Sequence, residues 1–390
     1  MKHAFALRDT NPAPARVKVP LFDLSRQAER FGPKLNQRIA EVLQHGRFIL
    51  GPEVEELEAA LARFTGARHV IGVSSGRDAL IISLMALGVG AGDAVFVPAF
   101  TFSATAGAVV AAGAVPVFTD VDPATLTMDA EQLERAIKRT LRNTALRPRA
   151  VIPVDLYGLP ADYAAIEAVA TRYGLSIIAD AAQSFGARVG SRRVGTLAEI
   201  TATSFYPTKP LGAFGDGGAI FTDDDQLAQA VREIRSHGTR GSGDVAMRLG
   251  LTGRLDTLQA AVLLVGLEVF EERLASRREI AARYQRAFSG VVGTPPQSAL
   301  LCSAWALYTI RTRDRDNVRG RLAAAGVETG LYYRVPLHRH PAFAGWLTGE
   351  EELPVSEQAA DEVLSLPLHG GLSEEQVDHV IDAMLQAVSS

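Results

Sequence analysis

A single lysine, Lys209, sits in the turn Ser204-Phe-Tyr-Pro-Thr-Lys209-Pro-Leu-Gly-Ala-Phe-Gly-Asp216-Gly-Gly218, between a short Thr/Ser/Phe run and an apolar run at 219–221. A loop lysine among small residues lets a ligand approach the backbone closely, which suits an amine nucleophile that attacks a carbonyl. A solvated lysine beside a glycine turn explains the same residues, so Lys209 alone decides nothing. Three other groups change the balance. Ser74-Ser75-Gly76-Arg77-Asp78 follows an apolar run and opens a helical one. Free N–H groups and the helix dipole there can hold a phosphate, the alternative being a plain glycine-containing turn. Asp180 closes the apolar run 176–179 and precedes Ala181-Ala182-Gln183. It either caps a helix or keeps a pyridine nitrogen protonated, which makes the ring an electron sink. Phe102, in Pro98-Ala-Phe-Thr-Phe-Ser-Ala-Thr105, either packs in a core or offers a face for ring stacking. Phosphate turn, aromatic, carboxylate and lysine follow one another on successive strand–helix units. That is the set a pyridoxal phosphate site needs, with Ser204 placed to hydrogen-bond the same phosphate.

The elements that must carry these groups are legible as short β-rich runs at 70–73, 94–97, 115–118, 151–154, 176–179, 202–205 and 219–222, alternating with helical stretches. Continuous apolar runs of this length predict an α/β fold with a mainly parallel seven-stranded sheet sandwiched by helices. Ligands of such sheets gather beyond the carboxyl ends of the strands, where Ser74, Asp180 and Ser204 stand. Between Asp93 and Asp120 there is no charge, but Pro98, Gly107, Gly113 and Pro116 interrupt the run. It therefore reads as strand, turn, helix and strand of a core, not as a membrane span. Residues 257–289 predict a long helix pair. A smaller αβ part follows: a strand-like 305–310, a helix through Leu322, the run 335–337 and an amphipathic helix from Ser373. The expected organisation is a loose tail at 1–18, a large cofactor-binding domain at 19–265 and a small C-terminal αβ domain at 266–390. Residues 20–60 are expected to pack beside the second part.

A chain of 390 residues has room for two sizeable cores, and 47% hydrophobic with 22% charged residues is ordinary for a globular protein. The net charge of −4 leaves no electrostatic footprint for nucleic acid or an anionic membrane. One cysteine, Cys302, excludes an internal disulfide, a cysteine-held cluster and a multi-cysteine zinc site, and fits a reducing compartment. No His/Asp/Glu spacing suggests a metal site. The apolar stretch before Arg8 is too short for a signal-peptide core, so a cytoplasmic location is expected.

Several further segments run collinearly from about residue 48 to 367. They are Asp120-Val-Asp122-Pro, Val154-Asp-Leu-Tyr-Gly158, Asp180-Ala-Ala-Gln-Ser-Phe-Gly-Ala187, Arg235-Ser-His-Gly238, Arg254-Leu-Asp-Thr-Leu-Gln-Ala-Ala261 and Tyr332-Tyr333-Arg-Val-Pro-Leu-His338. With the Phe102 segment and the lysine turn, they resemble the fold-type I, pyridoxal 5'-phosphate-dependent sugar aminotransferases of the DegT/DnrJ/EryC1/StrS family. The resemblance implies that Lys209 is the Schiff-base lysine, Asp180 the partner of the pyridine nitrogen and Gln183 a hydrogen-bond partner of the phenolic oxygen. It implies that Phe102 stacks on the ring and that Ser75, Gly76 and Ser204 hold the phosphate. It also implies a homodimer with shared active sites, the segment before Arg254 reaching the neighbour's phosphate.

Two positions depart from the family pattern: Arg77 where threonine is usual, and Thr252 where asparagine is common. Arg77 either makes a charge-assisted phosphate contact or points to solvent, and Thr252 has a shorter reach. His237, Arg254, Tyr333 and His338 are candidate substrate contacts, the histidines being equally readable as structural. The basic run Arg232, Arg235, Arg240, Arg248 and Arg254 either meets a diphosphate or lies on a solvated face. The implied reaction is transfer of an amino group from an amino acid, glutamate, to a keto group of a nucleotide-linked sugar in amino-sugar biosynthesis. Asp216, in Gly-Asp-Gly-Gly, leans it toward the third ring carbon over the fourth. Two rivals remain: a deoxygenase of the same fold, which typically has histidine in place of the lysine, and a non-catalytic regulatory relative.

Overall fold

Strand β1 (His69–Val73), β2 (Asp93–Pro98), β3 (Val115–Thr119), β4 (Arg147–Val151) and β5 (Ser176–Asp180) are followed by a small hairpin, β6 (Arg188–Val189) and β7 (Arg192–Arg193), then by β8 (Ile200–Ser204) and β9 (Gly218–Thr222). In this computed structural model, which describes residues 17–241, 244–349 and 352–389, all but the hairpin join one seven-stranded sheet. Residues 1–16 of the expected tail lie outside the described residues. The strand order is β1-β9-β8-β5-β4-β2-β3. The pairs from β8 to β3 are parallel, while β9 runs antiparallel to both β1 and β8. The reversal follows from connection length: β8 reaches β9 through the lysine turn alone, and only a helix-length crossover could keep them parallel.

One expected strand is displaced. β4 begins at Arg147 and stops at Val151, so it shares one residue with the run 151–154. Pro153 has no N–H to extend the ladder, and only an isolated bridge from Val154 to Asp180 continues it. The uncharged segment folds as read, into β2, helix α4 and β3.

The helices are α1 (Leu24–His45), α2 (Pro52–Thr65), α3 (Gly76–Ala86), α4 (Ser103–Ala111), α5 (Ala130–Asn143), α6 (Tyr163–Tyr173), α7 (Asp225–Arg235), α8 (Thr257–Glu268), α9 (Phe270–Phe288), α10 (Arg315–Ala324), α11 (Pro354–Glu362) and α12 (Glu374–Ser389). Alternation along the strands sends Ile71, Val95, Val97 and Ile178 to one face of the sheet, where α3, α4 and α7 cover them. Phe96, Val151 and Ala179 face α5 and α6 on the other side, and Val70 and Phe221 face α2 and α8. No helix among the described residues is long and apolar enough to cross a membrane.

Further apolar residues gather apart from the sheet. Tyr284 and Phe288 of α9 pack with residues of α10, α12, β10 (Tyr308–Arg311) and β11 (Val363–Leu366), and with Val19. The run 335–337 forms no strand. Leu337 starts a short turn, donates its N–H to Ala99 and packs among the helices on the sheet. The 20–60 stretch divides: Phe31 and Leu35 of α1 pack on α8, whereas Val54, Leu57 and Leu61 of α2 join the core under β9. Gly32, at φ 52°, and Pro33 break α1, which turns its first half toward the lysine turn.

Candidate active site

The phosphate turn is built by three segments pressed together. Ser75 caps α3 by accepting the Asp78 N–H at 3.0 Å, and Ser74 donates to the Asp78 carboxylate at 2.5 Å. The N–H groups of the first helical turn have no carbonyl of their own helix to bond. A Cβ on Gly76 would lie 2.5 Å from the Ser204 Cβ at the end of β8. One on Gly218 would lie 2.6 Å from the Ser75 carbonyl. Glycine at both places is what lets the ends of β8 and β9 close on the start of α3.

Asp180 ends β5 and is buried. Thr105 of α4 donates to its Oδ2 at 2.8 Å, and the Ala182 N–H approaches Oδ1 at 3.2 Å. Burial raises the Asp180 carboxyl above the usual range, while Thr105, Ala182 and the charge of Lys209 pull it back. Burial lowers the Lys209 ammonium, and Asp180 opposes that shift. The two groups therefore share one low-dielectric space. Gln183 is fixed by accepting the Tyr157 N–H at 2.8 Å and donating to the Tyr333 hydroxyl at 3.3 Å. Lys209, Gln183, Tyr332, Tyr333 and Phe22 line a small cavity of about 60 Å³. Phe102 at the head of α4 is 56% exposed, so its face is open rather than packed in the core; its nearest ring is Tyr333, centroids 6.0 Å apart.

A more open cavity of about 590 Å³ brings together Ser75, Thr252, Arg254 and Asp216. Thr252 stands 3.4 Å from the His237 ring, which is exposed and held at a φ of 61°. Arg77 turns away along α3: its guanidinium reaches the Gly107 carbonyl on α4 at 3.5 Å. His338 is buried against Glu357 at 3.0 Å and lines neither cavity that contains Lys209. The basic run is largely committed within the chain. Arg235 is buried on Glu58 and the Gly72 carbonyl, at 2.8 and 2.9 Å, and Arg240 and Arg248 both clamp Glu233.

The model of the DegT/DnrJ/EryC1/StrS aminotransferase family matches residues 30–385. The chain belongs to this family. A UDP-2-acetamido-2-deoxy-3-oxo-D-glucuronate aminotransferase of Pseudomonas aeruginosa is 46% identical over 367 residues, 94% of this chain and 99% of that protein. A dTDP-3-amino-3,4,6-trideoxy-alpha-D-glucose transaminase of Streptomyces venezuelae is 41% identical, over 94% of this chain and 95% of the other. Among solved structures, a family aminotransferase from Brucella abortus superposes with a TM-score of 0.93 at 45% identity, covering 95% of this chain and all of that one. Bacillus subtilis NtdA, solved with bound cofactor PMP, gives 0.88 at 31% identity, covering 98% of this chain and 87% of the other.

The residues of this aminotransferase fit a pyridoxal phosphate. The glycine-tight turn at Gly76 presents free helix N–H groups, a buried carboxylate faces the lysine, and an aromatic face stands open at the head of α4. Thr105 escaped the sequence reading, although a polar residue one helical turn after Phe102 in a largely apolar helix was a usable signal. Arg273, Arg277 and His369, which line a cavity with Lys209, carried no signal at all, because their partners are distant in sequence.

Proposed function

We propose that the protein binds pyridoxal 5'-phosphate and moves an amino group from L-glutamate to the third ring carbon of a nucleotide-linked keto sugar. The observation that carries this reading is the buried Asp180–Thr105 pair at the carboxyl end of β5, on the sheet edge where the neighbouring parallel strand β8 ends and the lysine turn begins. Bound pyridoxal phosphate supplies an electron sink for the carbon that loses or gains the amino group. Asp180 would stand beside the ring nitrogen, its negative charge maintained by the hydrogen bonds from Thr105 and the Ala182 N–H. Ser75, Gly76 and Ser204 would hold the phosphate, and Phe102 would cover the ring. Gln183 has one amide N–H to spare after its bond to Tyr333, enough to reach a phenolic oxygen.

Lys209 acts twice. Its amine, favoured in the neutral form by burial, is the nucleophile; once displaced, it would take the proton from the donor's amine-bearing carbon in one half-reaction and deliver a proton to the sugar carbon that gains the amine in the other. Tyr332 and Tyr333 narrow the cavity beside it and limit the entry of water.

Both relatives described above are named for 3-oxo or 3-amino sugars, which supports the third carbon along with Asp216 at the wider cavity. The exposed apolar side chains of Val245, Met247 and Leu249, in the segment before Thr252, support a homodimer with shared sites. His237 and Arg254 would then meet the sugar nucleotide. We place the enzyme in the cytoplasm. Incubation with ¹⁵N-labelled L-glutamate and matched 3-keto and 4-keto sugars on UDP and dTDP tests the reaction. Label is expected on the third carbon; faster labelling of the 4-keto sugars would overturn that position. Sedimentation should show a dimer, and a fully active monomer would contradict the shared site.

A further inference from the structure

A cavity of about 430 Å³ beside Lys209 is lined by buried basic side chains. Its walls are the first half of α1, α9, the lysine turn and the turn at 369–371. Arg273 and Arg277, one turn apart on α9, line it at 7% and 3% exposure. Arg277 donates through Nη1 to the carbonyls of Trp305 and Ala306, at 2.7 and 3.4 Å, while its Nε has no partner. No carboxylate pairs with Arg277 among the described residues. His369, 7% exposed, approaches the Pro20 carbonyl through Nε2 at 3.3 Å and leaves Nδ1 unpartnered. The acids that line the same cavity, Asp23 and Glu29, belong to α1 and its cap, and Asp23 is engaged by Ser25 and the Arg26 N–H.

A buried guanidinium with no carboxylate beside it, as at Arg277, is costly unless an anion joins it. Burial, reinforced by Arg273, pulls Arg277 down to about 9; burial, reinforced by Arg30, pulls Arg273 down to about 10. The cavity also adjoins the reacting centre, since Phe22, Thr208 and Lys209 line both it and the small cavity holding Gln183 and Tyr333. A molecule whose reacting carbon lies at Lys209 can extend an acidic group into it. Its size falls within the roughly 300–1,000 Å³ of small-molecule sites. The planar fork of arginine matches a carboxylate in a way a lysine cannot.

We propose that Arg273, Arg277 and His369 form a carboxylate subsite of this aminotransferase, filled by the side-chain carboxylate of a dicarboxylic amino donor or by a carboxylate on the acceptor sugar. This rests on Lys209 being the amine-transferring lysine. The test uses the holoenzyme and its Arg273→Gln, Arg273→Lys and His369→Gln variants. One arm compares L-glutamate with its neutral isostere L-glutamine in the first half-reaction. The other compares carboxylated with neutral 3-keto nucleotide sugars in the second.

Arg273→Gln is expected to lower the glutamate-to-glutamine ratio of kcat/KM by about tenfold or more, with partial recovery in Arg273→Lys. A fall confined to the sugar ratio assigns the subsite to the acceptor. If both ratios stay at the wild-type value, the subsite is refuted, because a purely structural role lowers each pair together. Glutarate should compete with L-glutamine in the wild type while glutaramide does not. Absence of that competition, together with equal wild-type kcat/KM for carboxylated and neutral 3-keto sugars, refutes the subsite even if no variant folds. A wild type inert to every amino acid refutes the reading of Lys209 instead.

Discussion

Gly76 is the position where a single methyl group tests the architecture of the site. An added Cβ would lie 2.5 Å from the Ser204 Cβ and 3.1 Å from its Cα, against the ~3.5–4.0 Å at which carbon atoms normally meet. The obstructing atoms are the end of a sheet strand and its first side-chain carbon, so rotation of a flexible tip cannot relieve the contact. Either β8 moves away from the start of α3, or the helix shifts by about 1 Å; overpacking of this kind costs about 1–3 kcal/mol. Gly76→Ala should therefore lower stability by that amount in urea unfolding. It should also weaken pyridoxal phosphate binding by about tenfold or more, because the same movement opens the phosphate turn. Ser204→Gly removes the opposing Cβ, so the double variant should recover about 0.5–3 kcal/mol relative to the sum of the two single changes. Additive losses in the double-mutant cycle, or a Gly76→Ala protein with wild-type stability and affinity, would refute the reasoning.

Two further changes probe electrostatics. Thr105→Val removes the hydroxyl that bonds Asp180 at 2.8 Å, a bond that holds the carboxyl down. Asp180 should titrate higher, so the acidic limb of the kcat/KM profile should move to higher pH and neutral-pH activity should fall by about tenfold; an unmoved limb would contradict the pairing. Glu233, whose carboxyl is held down to about 2 from the usual 4.5, chiefly by Arg240 with help from Gln229 and Arg248, anchors the loop that leads to Thr252. A depressed acid contributes stability above its unfolded pKa and loses it as pH falls through the folded value. The stability gap between wild type and Glu233→Gln should thus be full at about pH 6 and shrink at about pH 3, read by urea unfolding, and a gap constant with pH would count against the clamp.

How much could be read in advance depended on how local each feature is. Asp180 could be singled out because it ends a strand, and Lys209 because it lies in the turn just beyond the end of another, each marked by its own neighbours; the parallel sheet brings such ends to one edge. The antiparallel course of β9 needed the additional fact that the lysine turn is too short for a crossover. The early stop of β4 hinged on Pro153, whose missing N–H was visible but whose register with β5 was not. Arg235, Arg240 and Arg248 formed a basic run on paper; folding buries Arg235 on Glu58 of α2 and leaves Arg240 and Arg248 at the surface, where they clamp Glu233 of α7. Thr105 and the pair Arg273 and Arg277 were least accessible. Their importance lies in which face of α4 or α9 is turned to Asp180 or Lys209, and long-range packing alone decides that.

The proposed role of Lys209 is to carry pyridoxal phosphate opposite Asp180. Its most direct test is the visible absorption spectrum of the purified protein with the cofactor, before and after L-glutamate, beside the same measurements on Lys209→Ala. A visible band that L-glutamate bleaches in the wild type, and that Lys209→Ala lacks, is the predicted result. A wild type that stays colourless with added pyridoxal phosphate, or a Lys209→Ala protein with the same band and the same bleaching, would contradict it.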